Sequence, residues 1–73
     1  MSLPRPLITS SPERLNGTPV FAGTRVPVQA LLDYIEAGDP LDRFLEDFPS
    51  VSREHAVAVL GLARQALLAS FAA

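Results

Sequence analysis

The sequence predicts a mainly α-helical domain: a short N-terminal β-ribbon followed by three helices with a helix-turn-helix core. Three observations predict it. Between Gly17 and Val28, Gly and Pro punctuate two very short extended runs, Val20-Phe21 and Arg25-Val26, across an Ala22-Gly23 corner. From Val28 onward the apolar residues change to helical spacing. Finally, the second and third helical segments are joined only by Ser50-Val51-Ser52, with Ser52 placed as the N-cap of the last one.

Taken in order, residues 1–6 contain two prolines and read as a flexible or extended arm. Leu7-Ile8-Thr9 is a short strand, followed by the turn-forming Ser10-Ser11-Pro12 and Asn16-Gly17. Gly23 occupies a corner that asks for positive φ. So small a ribbon is not stable alone and must lean on a helical core or a second chain. Val28, Leu31, Leu32 and Ile35 form the apolar stripe of the first helix, with Gln29, Asp33 and Glu36 facing away and Gly38 ending it. Asp39-Pro40 restarts a second helix as N-cap and first helical residue. Leu41, Phe44, Leu45 and Phe48 supply its buried face, Asp42, Arg43, Glu46 and Asp47 its wet face, and Pro49 stops it. The last helix runs from about Arg53 to Ser70. Ala56, Val59, Leu60, Ala63 and Leu67 can face the core, while Val57, Gly61 and Leu68 fall on another side. The whole is one domain, residues 1–73, with strands and turns over 7–28 and the helical core over 28–73.

Composition narrows the function. The 73 residues are 48% apolar, a generous share for so small a core, and predict a homodimer that hides the surplus. The ribbon edge and the multi-sided last helix are the candidate interfaces, with Val20, Phe21, Gly23, Thr24, Arg25, Val26 and Gly61 as partner or dimer contacts. Arg25 follows the Gly-Thr corner, where its fork can hold a carboxylate or carbonyls in fixed geometry. Gly61 costs about 1 kcal/mol in a helix interior, which close helix approach would offset; an incidental Gly in a stable helix fits equally. A net charge of -2 does not suit a protein held on nucleic acid by bulk charge. Absence of Cys, a single His and no apolar run near the ~20 residues of a membrane span leave a cytoplasmic protein without metal, cofactor or membrane anchor as the expectation.

Nothing in the chain assembles a catalytic centre, so the expectation is a non-enzyme without a small-molecule substrate. Ser52, three residues before His55, is a cap rather than a nucleophile, and Gly17 and Gly23 open no phosphate loop. If the helix-turn-helix binds DNA, Arg53 and His55 stand at the start of the recognition helix and Arg43 contacts phosphate. Otherwise Arg43 and Arg53 are solvated charges paired with nearby acids, and the stripes describe an ordinary small bundle.

From Ile8 to about Leu67 the chain resembles the small bacterial family catalogued as domain of unknown function four-thirty-three. The resemblance rests on the block Gly17-Thr18-Pro19-Val20-Phe21-Ala22-Gly23-Thr24-Arg25-Val26-Pro27-Val28, then Gly38 ending an apolar helix, then Phe48-Pro49 and a final helix. Thr18 stands where a lysine is often found. The resemblance implies a homeodomain-like helix-turn-helix with a β-ribbon, commonly a homodimer. It also implies an antitoxin similar to the VapB class, which neutralises a PIN-like ribonuclease toxin and binds promoter DNA. The other reading is a module that binds a protein partner without contacting DNA.

Overall fold

The computed structural model describes residues 3–10 and 17–71. Ser11, Pro12 and Asn16, assigned above to turns, lie outside the described residues, as do Met1 and Ser2 of the arm. The architecture is a two-stranded antiparallel sheet and three helices: β1 (Ile8–Thr9), β2 (Val20–Phe21), α1 (Val28–Glu36), α2 (Leu41–Asp47) and α3 (Arg53–Phe71). Ile8 lies opposite Phe21 and Thr9 opposite Val20. The ribbon therefore differs from the expected one, because β2 takes the N-terminal segment as its strand partner. Arg25-Val26 forms no strand; only an isolated bridge joins Val20 to Pro27.

The corner itself is a hydrogen-bonded turn. Gly23 has φ +80°, and the Thr24 amide donates to the Phe21 carbonyl at 2.9 Å. The Thr24 hydroxyl donates to that same carbonyl at 2.8 Å and accepts from the Val26 amide at 3.0 Å. One side chain thus closes the turn from both ends. The turn aims Phe21 and Val26 inward, where both are buried.

Helix boundaries follow local chemistry. At the end of α1, the Gly38 amide donates to the Ile35 carbonyl and the Asp39 amide to the Tyr34 carbonyl, with Gly38 at φ +88°. This is the Schellman arrangement, in which only glycine enters without strain. Pro40, rather than Asp39, occupies the N-cap of α2 and sits in extended backbone outside the helix. At α3 the Ser52 hydroxyl accepts from the His55 amide at 3.1 Å, the expected cap.

Five rings hold the core together, one each from β2, α1, α2 and α3 and the fifth, Phe48, just past the end of α2. Phe44 of α2 is fully buried and lies 5.9 Å from Phe21, 5.5 Å from Tyr34 and 5.0 Å from Phe48 (centroid distances). His55 of α3 meets Phe21 edge-on at 5.2 Å. Leu31, Val51, Ala56 and Val59 complete the buried cluster. Tyr34 takes the place on α1 expected of Ile35, which is exposed. On α3 the expectation that Ala63 and Leu67 face the core fails, since both are exposed. The reason is length. Nineteen residues make α3 about 28 Å long, while α1 and α2, of nine and seven residues, run about 13 and 10 Å. The last helix overshoots everything it could pack against.

Candidate functional site

Of the residues expected to read DNA, His55 is not on the surface. It is buried in the first turn of α3, and its Nε2–H donates to the Leu7 carbonyl at 2.8 Å across 48 positions of sequence. That bond ties the N-terminal segment to α3, so the ring serves the fold and does not reach a base. Arg53 and Arg43 are exposed, and each is engaged by an acid. Arg53 pairs with Asp42, joining α3 to α2, and Arg43 pairs with Asp47 one turn along α2 at 3.6 Å. A phosphate would have to displace those carboxylates.

The ribbon residues divide by position in the turn. Phe21 and Val26 are core, so neither side chain is offered to a partner; inward turn geometry is the cause. Val20 is half-buried and the Thr24 hydroxyl is spent on the turn. Gly23 and Arg25 remain at the exposed tip, and Arg25 makes no hydrogen bond or ion pair among the described residues.

The broadest free surface lies elsewhere. Every described residue of α3 from Leu62 onward is exposed, and most are apolar. Phe71 is 80% exposed, Leu67 61% and Leu68 56%, with Leu62 also uncovered. Four of the five Phe and Tyr residues meet in the core; Phe71 alone stands outside it. Sequence reasoning missed Leu62 and Phe71 as surface features and assigned Leu67 to the core. The disparity in helix lengths was the signal that could have found them.

Among the described residues no three His, Cys, Asp or Glu are grouped to hold a metal, and no helix is long and apolar enough to cross a membrane.

The model of the family described as "Protein of unknown function (DUF433)" matches residues 8–63. The chain belongs to that family. The matched span begins at β1 and ends at Ala63, so it takes in the packed unit and the exposed Leu62, while Leu67, Leu68 and Phe71 lie beyond it. A curated relative, the uncharacterised protein y4eO of Sinorhizobium fredii (strain NBRC 101917 / NGR234), is 48% identical over 50 residues. Those residues are 68% of this chain and 23% of the relative, so the chain spans under a quarter of that protein's length. No solved structure matches.

Proposed function

We propose that this DUF433 protein is an antitoxin-like module that neutralises a PIN-like ribonuclease by presenting the exposed end of α3 to it, without contacting DNA. The observation that carries the reading is the apolar helix end, Leu62, Leu67, Leu68 and Phe71, which no part of the described chain covers. Apolar helical anchors of this kind suit insertion into a groove of a partner protein. Resemblance to the antitoxin class names the partner, and the electrostatics argue against DNA: net charge is -2, His55 is buried, and Arg43 and Arg53 already hold carboxylates. The second reading, a DNA-binding antitoxin, is favoured by the helix-turn-helix order of α2 and α3 and by the family resemblance.

The test is ribonuclease inhibition by the full chain, using the PIN-like nuclease encoded beside it. Wild type should inhibit stoichiometrically, and Leu67→Asp with Phe71→Asp should abolish inhibition while the circular dichroism of the fold is kept. Absence of such a neighbouring nuclease, or full inhibition by the double variant, contradicts the reading. Binding of the protein's own promoter in preference to random DNA at physiological salt would transfer support to the second.

A further inference from the structure

Resting on the nuclease contact proposed above, we infer that the nuclease covers α3 with a helix that sets a carboxylate against Arg64 and passes close over Gly61. Val57, Gly61, Arg64, Leu68 and Phe71 recur at four, three, four and three residues, the spacing that keeps one stripe turned toward a paired helix. The stripe lies on the side of α3 away from the buried His55, Ala56 and Val59, and its four side chains are exposed. The docking face therefore reaches back along α3 well before the overhang, roughly 21 Å from Val57 to Phe71.

Arg64 defines the chemistry of the occupant. It makes no ion pair or hydrogen bond among the described residues. The four positions that flank it on the helix surface hold Leu60, Gly61, Leu67 and Leu68, so covering this apolar ground buries the guanidinium with it. A guanidinium buried without a partner would cancel the gain from the leucines, and the covering surface has to bring an acid. The chain's own helix offers none: α3 has no Asp or Glu after Glu54, about 15 Å away along the axis. All but one of the eight acids stand between Asp33 and Glu54 or at one of them, so an acidic surface is repelled by α1 and α2 and admitted at this end of α3. Gly61 supplies the fit. Glycine inside a helix destabilises it relative to alanine, and nothing beyond the backbone of its own turns comes within 4 Å of where a β-carbon would sit. Its cost is offset nowhere within the described chain. It is the one place on the stripe where another helix can lie against bare backbone.

Titration calorimetry of the full chain with the PIN-like nuclease encoded beside it is the test. Arg64→Met keeps an apolar stem but removes the charge; it should weaken binding about thirtyfold, because it leaves the nuclease carboxylate unpaired. Arg64→Lys keeps the charge without the fork and should fall between the two. Gly61→Leu favours the helix yet should weaken binding about tenfold by filling the close approach. Both positions lie outside the core, and circular dichroism checks that the helix is kept. Arg64→Met binding as tightly as wild type would mean a guanidinium that stays in water in the complex, and unchanged binding by Gly61→Leu would remove the close approach; either result overturns the inference. So does a dimer of this chain that both substitutions dissociate, by sedimentation equilibrium, while the nuclease titration is unchanged, since the stripe then faces a second copy. Binding lost in Leu67→Asp with Phe71→Asp but kept in Arg64→Met leaves the nuclease contact standing and removes only this pairing. No binding by wild type removes both.

Discussion

At the scale of single residues, two polar side chains do structural duty that their types do not announce. The Leu7 carbonyl accepts from both the Ala22 amide and His55 Nε2, so the imidazole is one of two donors on that oxygen. His55→Phe keeps the edge contact with Phe21 but removes this donor. Because the carbonyl retains the amide, the expected loss is about 1 kcal/mol rather than the larger cost of a buried orphan. Urea denaturation measures it, and unchanged stability would mean the bond contributes nothing. Tyr34 donates its phenol to Asp47 at 2.6 Å, and that hydrogen bond, followed by removal from water and the nearby carboxylate charge, holds its pKa above the usual 10.0. A folded-state pKa raised above the unfolded one contributes stability that is fully present below about pH 10 and is lost as pH rises through the native value. The chain has one tyrosine, so phenolate absorbance follows this group alone. Asp47→Asn should bring its titration back toward 10 and reduce the alkaline loss of stability.

At the scale of elements, the same substitution has opposite signs at two glycines. Gly38 closes α1 at φ +88°, where a side chain is strained, so Gly38→Ala should destabilise by about 1 kcal/mol. Gly61 lies inside α3 with open space above it, so Gly61→Ala should stabilise the monomer by up to about 1 kcal/mol. Thermal unfolding at concentrations too low for pairing checks both. The three helices were legible in the sequence because Gly38, Pro49 and Ser52 punctuate them, and each performs the expected ending or capping. Strand pairing was not legible. Two-residue strands carry no register signal, and the partner of β2 lies across a segment of ten residues. His55 was misplaced because its position in the first turn of the expected recognition helix outweighed its helical spacing to Val59, four residues on, which shares its buried face.

For the whole molecule, the apolar content expected to drive association is real, but it is concentrated differently from the expectation. The ribbon turns its large residues, Phe21 and Val26, into the core and shows the exterior little more than Gly23 and Arg25. Most of the surplus apolar surface gathers at the end of α3, where Leu62, Leu67, Leu68 and Phe71 are exposed and the last three lie beyond the span matched by the DUF433 model. A packed unit of short elements plus one overlong helix separates two tasks: the aromatic cluster holds the fold, and the overhang remains available for a partner. Because residues 66–71 make their helix without covering neighbours, their amides should exchange with solvent quickly in the protein alone. Amide hydrogen exchange over that segment is therefore the most direct measurement of the central claim. Strong protection of residues 66–71 on adding the PIN-like nuclease, and none on adding promoter DNA, is the predicted result; unchanged exchange with the nuclease, or protection of the start of α3 by DNA instead, would contradict it.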